Sequence, residues 1–451
     1  MKHWLFNRSR RWYIATSLVV AVLLLVLLPL LSVKTQAAHA ANANNDMPQV
    51  SVTTNFEPEG FVSNTPKPPT DQYCRKHLNH DCLSPQEMHN AYDLNPLLNK
   101  GYDGKGQTII IIVPFGSPTI KQDLHTFDMG YNLPDPPSFQ IITPFGTAPY
   151  KPDPNRIGWA TETTLDTLWS HAMAPGANIV LMTAPSAELE ELLDLEQYAL
   201  QKGYGKIISQ SWAATENLLF TPKGRYLMRT FDSFYQQAAA AGVTVFAASG
   251  DTGASNYGNN GKVYPFPTVN FPANDPYVTT VGGTSLDVDT NGNYISENGW
   301  HRSGGGVSQY WKEPQYQQGM NSQVQNILKG MRGLPDVAYN ANPTRTLLYW
   351  SSFGGQPTGW TGIGGTSEGP PSWSGIIADG DQFAGHPLGF LNPDLYTLGI
   401  NGSNVYHDIT IGNNTWNGVT GYHCTAGWDP VTGWGTPKVT PLITALTQMG
   451  A

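Results

Sequence analysis

The chain has 451 residues, of which 40% are hydrophobic and 11% aromatic. That is enough apolar material for a sizeable core and excludes wholesale disorder. Only 13% of residues are charged, the formal net charge is −9, and no basic block follows the first eleven residues, which speaks against a phosphate-neutralising nucleic-acid surface. A surface this poor in charge is solvated by Asn, Gln, Ser, Thr and Gly, and it changes little on acidification because few carboxylates switch state.

From the N-terminus, Lys2, Arg8, Arg10 and Arg11 precede an uncharged apolar run from Tyr13 to Val33, followed by Ala38-His39-Ala40, which has the form of a signal-peptidase site. The run exceeds the ~7–15 residues of a secretory apolar core and is long enough to span a bilayer. Residues 1–40 therefore read as a signal peptide or an uncleaved N-terminal membrane anchor. The expectation is a protein secreted, or held outside the cell by this segment, with no other membrane contact. Residues 41–82 read as a linker or N-terminal extension, rich in Asn, Pro and Thr up to Thr65-Pro-Lys-Pro-Pro-Thr70. In an exported chain Cys74 and Cys82 read most plainly as a disulfide, leaving Cys424 buried and unpaired. A metal site using His77 and His80 between them would match no standard zinc spacing.

From Leu83 onward short β-branched runs appear at residues 108–113, 178–182, 206–211 and 243–248. Amphipathic helical stretches lie at 120–127, 160–172, 187–202 and 223–241. Strands without polar alternation, separated by helices, predict an α/β fold with a parallel sheet covered on both faces. The simplest partition is a single domain over 83–451, with loop-rich insertions after Pro265. Ligands of such sheets gather beyond the C-terminal ends of the strands. Two loops there attract attention: Ser211-Trp212-Ala213 and Ser249-Gly250-Asp251-Thr252-Gly253.

The sharpest motif is Gly364-Gly365-Thr366-Ser367-Glu368-Gly369-Pro370-Pro371. A serine at the mouth of a helix gains from the free N–H groups there, glycines permit close substrate approach, and prolines fit the first turn. Ser367 could equally be an ordinary helix cap. Gly365–Gly369 also satisfies G-x-S-x-G, the elbow of α/β-hydrolases, but an elbow requires a preceding hydrophobic strand and a later histidine, and His386, His407 and His423 stand in no such context. A subtilisin-type solution is absent too: the first strand leads into Pro114-Phe115-Gly116, without an Asp, and no His-Gly-Thr occurs. Instead, Glu162 and Asp166 stand four residues apart on one helical face. Exposed, they would be two ordinary acids; buried together, they would share a proton.

Taken in order, Glu162-x-x-Leu-Asp166, Ser249-Gly250-Asp251-x-Gly253 and Gly365-Thr366-Ser367-x-x-x-Pro371 resemble the sedolisin family of serine-carboxyl peptidases, and its kumamolisin-like members in particular. Gly304-Gly305-Gly306-Val307-Ser308 is similar to that family's substrate-cleft loop, and a C-terminal Gly427-Trp-Asp429-Pro motif adds to the likeness. The resemblance implies a subtilisin-like parallel sheet flanked by helices in a single catalytic domain, a monomer that acts on protein or peptide substrates as an endopeptidase or tripeptidyl-peptidase. It implies that Ser367 attacks the scissile carbonyl, that Glu162 takes and returns the proton, and that Asp166 orients Glu162. Asp251 would stand in the oxyanion hole, protonated so that it can donate, which ties activity to acid pH. One structural Ca²⁺ is also implied, held by the carboxylates of Asp408 and Asp429 and the carbonyls of Ile409, Thr425 and Gly427.

Two features depart from the family. Residues 41–82 are too short for the large folded prodomain that precursors of this family usually carry. Glu368 stands where a small residue is usual; ionised, it would oppose the oxyanion, and protonated it would be harmless. The leading expectation is an exported acid peptidase. Its rivals are a catalytically inactive binding protein on the same scaffold and a neutral-pH esterase.

Overall fold

A β-branched run with no polar alternation is satisfied only where both faces are covered, and the run at residues 108–113 lies inside an eight-stranded sheet. The computed structural model describes residues 50–450. In chain order its strands are β1 (Thr53–Thr54), β2 (Glu57–Ser63), β3 (Asp81–Leu83), β4 (Thr108–Pro114), β5 (Phe139–Ile142), β6 (Asn178–Ala184), β7 (Ile207–Gln210), β8 (Trp212–Thr215), β9 (Thr244–Ala248) and β10 (Asn270–Phe271). Then follow β11 (Thr279–Val288), β12 (Tyr294–Gly299), β13 (Gly306–Lys312), β14 (Met331–Leu334), β15 (Val337–Asn340), β16 (Arg345–Ser351) and β17 (Gly359–Gly364). Four helices matter for the site: α1 (Pro154–Met173), α2 (Leu189–Lys202), α3 (Pro222–Ala240) and α4 (Gly369–Ala384).

The main sheet has the order β12-β11-β9-β7-β4-β6-β5, with β15 also paired to β11. Every pairing in it is parallel except β11 with β12. Along β4 the side chains divide by parity. Ile109, Ile111 and Val113 pack with Leu165, Trp169, Trp373 and Ile377 of α1 and α4. Ile110 and Ile112 join the cluster that holds Leu192 and Leu195 of α2 and Phe231 and Tyr235 of α3. The period of two thus places two helices on each face.

The four core strands lie within two residues of the expected runs. Helix α1 begins earlier than the apolar period suggests because Asp153 caps it, accepting from the Arg156 N–H at 3.0 Å, and Pro154 occupies its first position. Larger differences occur where the sequence offers no periodicity. Residues 50–82, expected as a linker, carry β1, β2 and β3. Strand β2 belongs to a four-stranded sheet of order β2-β17-β16-β3, and β1 pairs antiparallel with β8. Proline and asparagine do not exclude an edge strand whose partner supplies the hydrogen bonds. The Cys74–Cys82 disulfide is formed, and Cys424 is buried and free.

The expected location needs correction. Among the described residues no helix is long and apolar enough to cross a membrane, so anchoring outside the cell by a membrane segment is not upheld. The basic cluster, the run 13–33 and the Ala38–Ala40 site lie outside the described residues.

Helices α1 and α4 cross at Gly375, where an added Cβ would meet Met173 Cβ at 2.5 Å and the Ser170 carbonyl oxygen at 3.0 Å. Gly375→Val should therefore overpack the crossing and cost about 1–3 kcal/mol, read as a lowered denaturant midpoint; an unchanged midpoint would show that the crossing can yield.

Candidate active site

The chain runs from β4 to β5 and β6 on one side of the sheet and from β7 to β9 and β11 on the other. Strands β4 and β7 therefore flank a switch point, where loops beyond the strand ends part and leave a cleft. β7 runs into Ser211 and β9 into Ser249-Gly250-Asp251, so both reach the same end of the sheet.

Helix α1 brings two acids there. It is buried at every residue from Trp159 to Met173, although it carries four threonines. Three solve the problem locally: Thr163, Thr164 and Thr167 donate to the carbonyls of Trp159, Ala160 and Thr163, each at 2.7 Å. Glu162 and Asp166 have no such outlet, and both are fully buried. Glu162 Oε2 accepts from the Asn55 N–H at 3.2 Å, and Asp166 Oδ1 accepts from Ser211 Oγ at 2.7 Å. The second oxygen of each has no hydrogen-bond partner among the described residues. Burial raises both carboxyls well above their ordinary values; the charge of Asp166 adds to the rise at Glu162, while the neighbouring Ser367 hydroxyl opposes it. Ionising both of two such groups one helical turn apart is disfavoured, because a second buried charge opposes the first.

Ser367 lies in a single turn of 3₁₀ helix, Thr366–Glu368, between β17 and α4. Its hydroxyl points to the Ser211 carbonyl across 3.5 Å, and Ser211 Oγ lies 3.4 Å from the Ser367 carbonyl oxygen. Ser211 thus bridges the carboxyl pair and the serine turn. The Ser367 N–H donates at 3.0 Å to the carbonyl of Asn55.

Asp251 faces the same turn. Its Oδ1 accepts from Thr366 N–H at 2.8 Å and from Thr366 Oγ1 at 2.7 Å, while Oδ2 is buried without a partner. Burial pushes this carboxyl up to about 8, against the pull of the two Thr366 bonds. Gly365 is indispensable here. At φ +112° an added Cβ would lie 2.5 Å from Asp251 Oδ2 and 2.6 Å from the Asn55 carbonyl oxygen, so both oxygens border the space a side chain would fill. Glu368 is buried as well, accepts from Asn340 Nδ2 at 2.9 Å and is raised well above its ordinary value by burial. Neutral, it leaves the turn uncharged.

The structure thus brings Glu162, Asp166, Asp251 and Ser367 to one buried locus. Histidine is not part of it: His386 Nδ1 faces the Pro387 carbonyl, His407 stacks on Tyr294 and His423 is exposed. Gly304-Gly305-Gly306 borders the locus, with Gly304 N–H donating to the Gly250 carbonyl at 2.7 Å.

Three participants carry no sequence signal. Asn55 enters through its backbone, which no side-chain pattern reveals. Thr366 is hidden inside the serine motif. Glu216, just beyond β8, accepts from Asn274 Nδ2 at 2.7 Å, from the Gln309 N–H at 2.8 Å and from Ser308 Oγ, and so ties β8 to β13 across the cleft.

Two hydrogen bonds connect the expected metal ligands, one of them joining the 408 segment to the 425–429 turn. Gly427 N–H donates to Asp408 Oδ2 at 2.9 Å and Thr425 N–H to Asp429 Oδ2 at 3.1 Å. The carbonyls of Ile409, Thr425 and Gly427 accept no backbone hydrogen bond among the described residues. No group of three or more His, Cys, Asp or Glu is placed to hold a metal among the described residues. Together these ligands would be two carboxylates and three carbonyls, a hard-oxygen set of the kind that suits Ca²⁺ rather than a transition metal.

Comparison with known proteins decides the family. No family model matches the chain. It is 35% identical over 359 residues to kumamolisin of Bacillus sp. (strain MN-32), covering 77% of this chain and 61% of that protein. It is 37% identical over 233 residues to human tripeptidyl-peptidase 1, covering 47% of this chain and 38% of the relative. The structure superposes on Pseudomonas sedolisin, a serine-carboxyl proteinase solved with two molecules of pseudo-iodotyrostatin, with a TM-score of 0.70 and 27% identity over 82% of this chain and all of that one. The chain belongs to the sedolisin family of serine-carboxyl peptidases. Its fold is the family's subtilisin-like α/β arrangement, built on the large parallel sheet flanked by helices described above. The chain spans about three fifths of the length of kumamolisin and about two fifths of the tripeptidyl-peptidases it matches.

Burial of so many acids in this family member has a consequence for stability. Besides the site, Glu297 and Asp381 are raised to about 7, and Glu196, Asp275 and Asp379 well above their ordinary values, all chiefly by burial. An acid whose folded value exceeds its unfolded value near 4 contributes stability that is fully present below about pH 4 and is lost as pH rises through the folded value. His89 and His171, lowered to about 4 by burial, act oppositely, losing stability as pH falls from about 6.5 to 4. The acids outnumber them. The melting temperature should therefore be higher near pH 5 than near pH 8, by calorimetry at fixed ionic strength; a higher value at pH 8 would mean that these carboxyls ionise in the folded state.

Proposed function

We propose that the protein is an acid-acting serine peptidase in which Ser367 is activated by a carboxyl pair. The observation that carries this reading is the convergence of Ser367, Glu162, Asp166 and Asp251 on one buried locus, with no imidazole beside the serine. Ser367 Oγ attacks the scissile carbonyl carbon and passes its proton to Glu162, in its charged form within the singly protonated pair. Asp166 retains the shared proton and, steadied by Ser211, holds Glu162 in place. The tetrahedral oxyanion lies against the Ser367 N–H and the protonated Asp251 Oδ2, the donor that Thr366 orients. Glu162 returns its proton to the leaving amine. Water then attacks the ester, again through Glu162, and frees Ser367. The substrates are proteins or peptides lying in the cleft between β8 and the 304–308 loop. Tripeptidyl-peptidase and serine-carboxyl proteinase are both names borne by the relatives.

Peptide hydrolysis tests the reading at about pH 4. Ser367→Ala and Glu162→Gln should each lower kcat at least about a hundredfold with the fold intact by circular dichroism. Hydrolysis that survives both changes would remove the assignment, and an esterase would keep its activity in Glu162→Gln.

Asp251 gives the reading its pH dependence. The carboxyl is neutral, and able to donate, below about 8 and charged above it. Activity should therefore fall as pH rises through that value. Asp251→Asn donates without a proton, so the alkaline limb of its profile should move to higher pH, whatever its peak rate. An unmoved limb would refute the protonated-donor role.

For the C-terminal turn the proposal is one structural Ca²⁺ on Asp408, Asp429 and the carbonyls of Ile409, Thr425 and Gly427. Bound there, the ion would supply charge compensation for two carboxylates and tie the 408 and 425–429 segments together. EDTA should lower the melting temperature and added Ca²⁺ restore it; melting indifferent to both would withdraw the ion.

A further inference from the structure

The two walls of the cleft are built unlike one another. One is β8, a strand hydrogen-bonded to β10 and to Thr53–Thr54, the segment that lies along it in the cleft. The other begins as Gly304-Gly305-Gly306, three residues with no side chain to pack and the widest backbone freedom of any residue type. Strand pairing starts only at Gly306, opposite Leu334 of β14. A loop of this composition does not hold one shape by itself, so groups outside it must fix its backbone.

The side chain of Asn414 supplies most of that hold. Residues 412–424 fold back on themselves: Cys424 N–H donates to the Gly412 carbonyl at 3.0 Å, Asn413 bridges His423, and Trp416 bridges Val419. Asn414, on the first arm, is fully buried. Its Nδ2 donates to the carbonyls of Ser303 at 3.2 Å and Gly305 at 3.3 Å, and its Oδ1 accepts from the Tyr422 N–H at 2.7 Å. Between those two carbonyls, the Gly304 N–H is tied to the Gly250 carbonyl at 2.7 Å. Two acceptors and one donor call for two N–H groups and one C=O, and on a side chain this short only Asn carries them. Neighbouring positions are glycine where a side chain would displace it. A Cβ at Gly421 would lie 2.3 Å from Asn414 Oδ1, and one at Gly253 would lie 2.6 Å from the Asn414 carbonyl oxygen.

The main chain of Asn414 has a separate task. Its carbonyl accepts from the Ala254 N–H at 2.8 Å, and its N–H donates to the Tyr422 carbonyl at 3.1 Å. The loop after Asp251 is therefore held by a backbone bond that a side-chain substitution leaves in place. Tyr422 in turn stands against the glycine wall, where a Cβ at Gly306 would meet its ring at 3.0 Å. We infer that Asn414 is a positioning residue for the substrate: its amide holds the 303–306 wall in the shape an extended peptide needs, and it acts on binding rather than on the serine. The inference rests on the peptidase reading of the cleft. A wall fixed in advance spares the bound peptide the cost of ordering three glycines.

Steady-state hydrolysis of an extended peptide by the full chain, at the acid pH of highest activity, tests the inference. Asn414→Ala should raise KM about tenfold or more, the scale of leaving buried carbonyls unpaired, with kcat little changed. Asn414→Asp keeps the acceptor for the Tyr422 N–H and, when protonated, one donor, so its KM should fall between those of the unaltered chain and Asn414→Ala. It also carries the test should Asn414→Ala not fold, as followed by circular dichroism. An unmoved KM in whichever variant folds, or a fall in kcat with KM unmoved, would overturn the inference and leave the peptidase reading standing. If neither variant folds, Asn414 serves the fold alone and the inference falls. If the unaltered chain hydrolyses no peptide, the peptidase reading falls and the inference with it.

Discussion

Two carboxyls one turn apart on a helix sealed from water form the constraint around which the site is built. Placing one charge there is costly, and placing two would be more so. Around the pair, Thr163, Thr164 and Thr167 are satisfied by carbonyls of the preceding turn, and Ser211 donates to Asp166. Burial raises both carboxyls, and the charge of Asp166 raises Glu162 further, so the site disfavours a charge on either and still more on both.

The same solution recurs through the fold. Acids at positions 196, 275, 297, 379 and 381 are buried with raised values, while His89 and His171 are buried with lowered ones. An interior stocked with neutral acids, beneath a surface with few charges to lose, gains nothing from neutrality of the medium. Burial favours the protonated state of Asp251 as it does that of the other acids. On the proposed reading, site chemistry and fold stability respond to protons in the same direction.

Much of this was legible in the residues. The four core runs and the helices between them followed from period and β-branching, because burial on both faces leaves a composition that little else produces. Glu162 and Asp166 were visible as a spacing, and Ser367 as a serine in a glycine-rich helix entry. What stayed hidden was backbone chemistry. Asn55 acts through its N–H and C=O, and residues 50–63 form strands only because β8 and β17 supply partners, so their Pro- and Asn-rich composition read as linker. Glu216 was equally opaque: its partners at 274, 308 and 309 are distant in sequence, and one acid after a strand has no distinguishing pattern.

The three glycine motifs, far apart in sequence, prove to be one object in space. Gly304 donates to the Gly250 carbonyl and leaves no room for a side chain against Ser249; Gly250 donates to Thr366 Oγ1 at 3.0 Å; and Gly365 lies where any Cβ would strike Asp251 and the segment in the cleft. Each glycine is required by the next layer, and Gly250 and Gly365 by their own positive φ as well. A methyl group would meet Asn270 Nδ2 at Gly250, the Ser249 carbonyl at Gly304 and Asp251 Oδ2 at Gly365, so each would disturb the loops that close on Ser367. The pocket is thus defined as much by missing side chains as by acids, and that is why a short serine motif, ambiguous when read alone, becomes specific once the Ser-Gly-Asp and Gly-Gly-Gly loops are seen to close on it.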